Sequence, residues 1–296
     1  MGFKSGFVAL VGKPNVGKST LLNAFLGRKI AIATAKPQTT RNRIQGVLHS
    51  PQGQIVFVDT PGIIKPRHKL DERLETSVRR AFKEVDVIAH VVDISKPPRE
   101  EEIRVARMVS QSGQPAILIG NKSDLVLHTD GRLEPYLSLA PYRHTFAVSA
   151  QFEIGLDSVV ATLWDLLPEG MPYFPEDVVT NQTEDFYISE VIREKILEQT
   201  RDEVPHSVAV TVEERQMRSE QLMYIRASIY VERDSQKAII IGNRGQMLKQ
   251  VGQLARRDLE EYYSKQVYLD LWVKVRGHWR DQDAWLTRLG YPKRES

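Results

Sequence analysis

The chain has no cysteine, so neither a disulfide nor a thiolate metal site can form. That suits a reducing cytosol and leaves Mg²⁺, held by oxygen atoms, as the metal to expect. Also missing is any apolar run near the ~20 residues that a membrane-spanning helix needs. The N-terminus has no apolar block of the signal-peptide kind, and together these absences predict a soluble, intracellular protein. An excess of charge of one sign is missing too: 41 Lys/Arg against 38 Asp/Glu gives +3 over 296 residues. Residues 1–180 carry 22 basic and 19 acidic side chains and residues 181–296 carry 19 of each, so the two parts are +3 and 0. Global charge therefore selects no partner, and any nucleic-acid contact must rest on local clusters.

With 41% apolar residues in a chain of this length, two cores can be filled. The first is organised around Gly12, Lys13, Pro14, Asn15, Val16, Gly17, Lys18, Ser19 and Thr20, directly after the apolar run Phe7–Val11. A buried strand that ends in a glycine-rich loop and runs into a helix presents backbone N–H groups to phosphates; Lys18 then reaches the β and γ phosphates and Ser19 ligates Mg²⁺. Leu21, Leu22, Phe25 and Leu26 follow at helical spacing, and Gly27 is a stop signal.

Residues 31–43 form a polar loop, and Ile44–His49 and Gln54–Val58 are two strands joined as a hairpin. Asp59-Thr60-Pro61-Gly62 ends the second strand. There an acidic residue can hold the water shell of Mg²⁺, and the Gly62 N–H can approach a γ-phosphate. Strands at 87–92, 116–120 and 145–148 alternate with helices at 70–82, 100–109 and 156–167. This predicts an α/β domain with a mostly parallel sheet, helices on both faces and ligands at the carboxyl ends of the strands.

Asn121-Lys122-Ser123-Asp124 and Ser149-Ala150 lie at two such ends. Asp124 can accept from guanine N1–H and its 2-amino group, whereas adenine would leave the carboxylate unpaired. Lys122 would lay its stem along the base, Asn121 would tie this loop to the phosphate loop, and the Ala150 N–H would meet guanine O6. The pocket is read as one for GTP and GDP.

Residues 168–177 hold three prolines and a glycine and read as a semi-rigid connector, with Tyr173 and Phe174 able to pin it to a surface. The second part follows the order α-β-β-α-α-β, with Ile241-Gly242-Asn243-Arg244-Gly245 between its second and third helices. That arrangement resembles a KH domain of the second type, in which the glycines bring backbone close to an RNA chain. Arg244, Lys237 and Lys249 would add positive charge. The expected divisions are a GTP-binding domain at 3–170, a linker at 171–183, an RNA-binding α+β domain at 184–280 and a tail helix within 281–296.

Taken in order, G-x-P-N-V-G-K-S, T-T-R, D-T-P-G, N-K-S-D and V-S-A resemble the motifs of the bacterial Era family of P-loop GTPases. The resemblance implies slow GTP hydrolysis with Lys18, Thr40 and Gly62 as the acting groups. It implies that Thr40, favoured over Thr39, completes Mg²⁺ coordination. It also implies binding of small-subunit ribosomal RNA near its 3′ end, assembly of the small ribosomal subunit, a monomer, and weak peripheral contact with the inner face of the cell membrane. Asn15 is left between two roles, a turn cap or a neighbour of K⁺. Ile63 stands where Ras-type GTPases place a Gln, so its side chain offers the attacking water no hydrogen bond. The rivals are a constitutive RNA-binding module with an inactive nucleotide domain, which intact Lys18, Ser19, Asp59 and Asp124 argue against, and a GTPase switch at the membrane surface.

Overall fold

The computed structural model describes residues 2–36 and 38–291, so Pro37 of the expected loop and residues 292–296 of the expected tail lie outside the described residues. Most of the chain up to Asn181 forms one compact unit, and the chain from Gln182 on falls in a second.

The first unit runs β1 (Lys4–Val11), α1 (Lys18–Leu26), β2 (Ile44–Ser50), β3 (Gly53–Asp59), α2 (Lys69–Glu84), β4 (Val87–Asp93), α3 (Glu100–Ser112), β5 (Ala116–Asn121), α4 (Glu134–Leu137), β6 (His144–Ala147) and α5 (Leu156–Leu166). The strand order is β2-β3-β1-β4-β5-β6, with β2 antiparallel to β3 and the other pairings parallel. Strands β3, β4 and β5 are buried along their whole length, as expected where helices cover both faces of a parallel sheet. Helix α2 turns Leu70, Leu74, Val78 and Phe82 inward at intervals of four residues, each burial contributing about 1.5–3 kcal/mol. The expected helices and strands are all present within a few residues. Short α4 was not expected, because four residues carry no readable period.

A polar residue sits in the middle of β4. His90 is fully buried, its Nδ1 lies 2.6 Å from the Tyr142 hydroxyl, and its Nε2 has no hydrogen-bond partner. Burial, with a smaller push from the Lys18 charge, lowers its pKa to about 3. The unfolded chain takes up this proton near pH 6.5 and the folded chain does not, so stability is complete above pH 6.5 and falls as the pH drops toward 3. Between pH 7 and pH 5 the protein is expected to lose about 2 kcal/mol more than a His90→Phe variant. Thermal melts of both at the two pH values check this, and equal losses would refute it.

The connector is fastened to the first unit. Gln54 Oε1 accepts from the backbone N–H groups of Tyr173 (2.8 Å) and Phe174 (3.0 Å), and its Nε2 donates to the Phe174 carbonyl. Farther on, Val47 N–H donates to the Val179 carbonyl, Thr180 Oγ1 donates to the Gln45 carbonyl, and Gly46 bridges to Thr180 in antiparallel fashion. The segment turns at Pro175, where Val178 N–H donates back to the Pro175 carbonyl at 3.1 Å, and then lies along the outer edge of β2 at Val179 and Thr180 like a partial strand.

The second unit runs α6 (Glu184–Gln199), α7 (Val204–Ser207), β7 (Ala209–Met217), β8 (Leu222–Val231), α8 (Asp234–Ile241), α9 (Gln246–Tyr263), β9 (Gln266–Val275) and α10 (Asp283–Arg288). Strand β8 is central, antiparallel to β7 and parallel to β9. Ile188, Ile192 and Ile196 of α6, Ile225 and Ile229 of β8, and Val251, Ala255 and Leu259 of α9 share one core on the helical side of this sheet. Single-turn α7 was another element with no period to read.

Candidate functional site

The phosphate loop needs backbone shapes that its sequence supplies. Gly17 has φ 95° and caps α1 in the left-handed region, and Asn15 turns at φ 63°. A Cβ on Gly12 would run into the Val91 carbonyl, and one on Gly62 would meet the Pro14 ring nitrogen at 2.7 Å. The loop and the Asp59–Gly62 turn are therefore packed backbone to backbone, with Ile63 N–H donating to the Gly12 carbonyl at 3.2 Å. Thr60 Oγ1 fixes the same turn by donating to the Leu10 carbonyl, and Pro61 is buried within it. Val16 lies in the core, while Thr20 continues the first turn of α1.

Lys18 is buried, its Nζ donating to the carbonyls of Gly12 (3.2 Å) and Lys13 (2.9 Å). Burial pushes its ammonium down to about 8, partly opposed by Asp59. A buried ammonium whose hydrogen bonds go to carbonyls gains strongly from an anion, which is what a triphosphate supplies. Lys13 forms an ion pair with Glu102, a buried carboxylate whose other oxygen accepts from the Arg99 N–H. This anchors the loop to α3, a contact that sequence spacing did not reveal.

Three oxygens meet where Mg²⁺ is expected. Ser19 Oγ donates to Asp59 Oδ2 at 2.7 Å, and Thr40 Oγ1, 2.8 Å from Ser19 Oγ, donates to the same carboxylate oxygen at 3.1 Å. Asp59 Oδ1 is buried with no partner, and burial pushes this carboxyl up against the pull of Lys18, Ser19 and Thr40. Two hydroxyls and an undersatisfied buried carboxylate make a hard-oxygen donor set of the kind Mg²⁺ takes. Thr40, the favoured of the two candidate threonines, reaches this cluster. Ile63 is 2% exposed and packs in the core beside Val11 and Val58, in keeping with a side chain that offers the attacking water no hydrogen bond.

The base end is built from three loops. Asn121 Nδ2 donates to the Val16 carbonyl at 2.8 Å and its Oδ1 accepts from Ala150 N–H at 2.9 Å, so one side chain joins the phosphate loop to the Ser149-Ala150 turn. Ser149 Oγ donates to Asp124 Oδ1 at 2.5 Å, aiming the carboxylate. Asp124 itself is exposed, so a base would have to cover it before an unpaired charge became costly. Lys122 sits at φ 66° with Nζ 2.8 Å from Asp93 Oδ2. Burial alone would raise the Asp93 pKa, but hydrogen bonds from Lys122 and Ser95 hold it below the usual carboxylate range. Asp93 was missed in the sequence, although it ends β4 as Asp59 ends β3.

In the second unit Gly242 (φ 72°, ψ 179°) leaves no room for a Cβ, which would lie 2.6 Å from Met247 Cβ. Arg244 and Gly245 also have positive φ, at 49° and 77°. Asn243 and Arg244 are thus lifted onto an exposed tip between α8 and α9. Beside it a groove runs between α9 and β9, lined by Gly245, Leu248, Lys249, Gly252, Leu269 and Leu271. Apolar walls with a lysine at the mouth suit bases stacked inside and phosphates outside. Ile241 and Lys237, half-buried on α8, are not among the residues lining this groove.

Residues 7–122 match the family described as 50S ribosome-binding GTPase, and residues 203–280 match the KH domain family. The chain is 47% identical to the GTPase Era of Carboxydothermus hydrogenoformans over 301 aligned positions that cover 100% of both chains. It is 47% identical to that of Lacticaseibacillus paracasei, covering 97% of this chain and 96% of the relative. A crystal structure of Era in complex with MgGDPNP and nucleotides 1506–1542 of 16S ribosomal RNA superposes with a TM-score of 0.94 at 37% identity, covering 98% of this chain and 99% of the other. An Aquifex aeolicus Era variant bound to GDP·AlF4⁻ gives the same TM-score at 36% identity and the same coverage.

Proposed function

The chain belongs to the Era family of GTPases, and from that premise we propose that it hydrolyses GTP while binding small-subunit ribosomal RNA near its 3′ end, acting in assembly of that subunit. The observation that carries the nucleotide half is the convergence of Ser19, Thr40 and Asp59 beside buried Lys18. Ser19 and Thr40 would hold Mg²⁺ directly and Asp59 through water; the ion, when bound, neutralises charge on the β and γ phosphates. Lys18 places its ammonium on the same oxygens, and the Gly62 N–H meets the γ-phosphate. Water attacks the γ-phosphorus as its bond to the β–γ bridging oxygen breaks, giving GDP and inorganic phosphate, which takes up the water's proton. Because Ile63 turns into the core, positioning of that water falls to the backbone of the segments carrying Thr40 and Gly62, so intrinsic turnover is slow.

The domain assignment of this reading is GTP binding at 3–170, a linker at 171–183, RNA binding at 184–280 and a tail at 281–296. RNA contacts fall to Lys237, Ile241, Gly242, Asn243, Arg244, Gly245 and Lys249. Thr40 lies four residues before β2, and the outer edge of β2 carries the linker at Val179 and Thr180. Nucleotide-driven ordering around Thr40 therefore has a direct path into the linker. The reading includes a monomer in the cytoplasm and weak, salt-sensitive contact with the inner membrane face, and it keeps both roles for Asn15, a turn residue or a neighbour of K⁺. No helix among the described residues is long and apolar enough to cross a membrane.

Addition of nucleotides 1506–1542 of 16S ribosomal RNA is expected to raise GTP turnover about tenfold, within the lower part of the range for two coupled sites. Phosphate release followed through an RNA titration, in KCl and again in NaCl, measures both the coupling and the use of K⁺. A flat titration removes the coupling.

A further inference from the structure

A buried carboxylate beside the nucleotide site takes no part in the steps described above. Glu102, in the first turn of α3, is 1% exposed, and its Oε1 faces the Lys13 ammonium, whose side chain is 15% exposed. Its Oε2 accepts from the Arg99 N–H at 3.0 Å, which caps α3 and fixes the direction of the carboxylate. Val105, Ala106 and Val109, farther along α3, are buried in the core of the first unit, so the carboxylate stands on a rigid element. Desolvating two charges offsets most of their attraction, and such a pair adds little net stability. What it does fix is the position of residue 13.

That position bears on the reacting end of the site. The Lys13 carbonyl accepts from Lys18 Nζ at 2.9 Å, closer than the Gly12 carbonyl at 3.2 Å. A line of contacts thus runs from Glu102, through the side chain and backbone of Lys13, to the ammonium placed for the β and γ phosphates. The segment joining β4 to α3 repeats the device at the base end. Asp93, where that segment begins, holds Lys122 Nζ at 2.8 Å through Oδ2, while its Oδ1 accepts from the N–H and hydroxyl of Ser95. Midway, the Tyr136 hydroxyl shares its hydrogen between the carbonyls of Lys96 (2.7 Å) and Asp93 (3.2 Å). Burial, then the charges of Glu102 and Asp93, push the Tyr136 phenol above its ordinary pKa, so it stays a donor. Residues 93–102 are therefore pinned near the middle, with a lysine of the base loop held at one end and a lysine of the phosphate loop at the other.

We propose that Glu102 is a positioning residue for GTP hydrolysis: by holding the Lys13 side chain it keeps the Lys13 carbonyl on Lys18 Nζ, and so keeps the Lys18 ammonium aimed as charge builds on the transferring phosphoryl group. This rests on the GTPase reading above and adds a residue that acts on the chemistry without touching the nucleotide. Backbone N–H groups of the loop also hold the phosphates of bound GTP, so ground-state affinity tolerates a small drift of Lys18. The transition state does not, since a misplacement of about 1 Å can cost about 10²-fold in rate.

The test uses the full chain. Glu102→Gln keeps an oxygen to accept from the Arg99 N–H but turns an amide rather than a carboxylate toward Lys13, and Lys13→Met removes the other partner. Phosphate release over a series of GTP concentrations gives kcat and KM for the unaltered protein, each single variant and the double variant, with a thermal melt of each. Each single variant is expected to lose about 10²-fold in kcat while KM stays near that of the unaltered protein, and the double variant is expected to fall no further than either. A pair that only neutralises buried charge predicts otherwise: the double variant, with no charge left to pair, would recover kcat, and that recovery would overturn the positioning role. An unchanged kcat in Glu102→Gln would overturn it too, as would a rise in KM with kcat retained or a loss of kcat confined to variants that melt below the assay temperature. Absence of GTP turnover in the unaltered protein would instead overturn the GTPase reading on which the proposal rests.

Discussion

Asp124→Asn is expected to lower GTP affinity about 10³-fold and to raise affinity for xanthosine triphosphate by a similar factor. Guanine offers two donors, N1–H and the 2-amino group, to the two oxygens of a carboxylate. An asparagine amide turns one of those acceptors into a donor and faces the 2-amino group with its own N–H, whereas xanthine carries a carbonyl at that position and pairs with it. A site built on such bonds discriminates by about 10⁴–10⁵ when fully enclosed. Asp124 stands exposed with Ser149 Oγ at 2.5 Å, so the smaller factor is expected. Competition of each triphosphate against a fluorescent guanine nucleotide measures both affinities. Unchanged preference for GTP would remove Asp124 from base selection.

Lys18→Ala should abolish detectable GTP binding and cut turnover by at least about 10³-fold, because it removes the one ammonium placed to meet the β and γ phosphates. The same substitution should not lower the melting temperature. Burial depresses the Lys18 pKa to about 8, so near neutral pH its charged form is held at a cost to the folded chain, and that cost disappears with the side chain. Melting and turnover measured on one preparation separate lost chemistry from lost folding. A protein that melts early would point to a structural role, and one that still turns over GTP would refute the assignment.

Much of this arrangement could be read from residue order. The phosphate loop, the Asp59–Gly62 turn and Asn121–Asp124 each follow a buried apolar strand, and in a parallel sheet the carboxyl ends of those strands face a common crevice. Proximity at the site thus follows from topology, although 105 positions separate Asn121 from Val16, whose carbonyl it binds. Less legible were contacts made sideways between loops. Asp93 had no motif to mark it, and its pairing with Lys122 depends on the left-handed turn at that lysine. The Lys13–Glu102 pair joins a loop to a helix with no fixed spacing. Ile63 was placed correctly in the chain, but its direction was hidden: a residue after a tight turn can point either way, and packing beside Val11 and Val58 decided it. In the second unit the alternation in β9 identified Val267, Leu269 and Leu271 as inward residues, while exposure of the intervening Tyr268 and Trp272 became visible only in three dimensions.

The strip of chain fastened along β2 has a consequence for solubility. An outermost strand left bare offers a row of amide and carbonyl groups to any passing copy of itself, and such rims seed clumping. Val179 and Thr180 occupy part of that row in β2, and Tyr173 and Phe174 are tied to Gln54 in the strand beside it. Residues with the composition of a tether thus also serve as a guard rail, and a nucleotide-binding fragment trimmed to end near Leu167 would lose it and become prone to sticking to its neighbours.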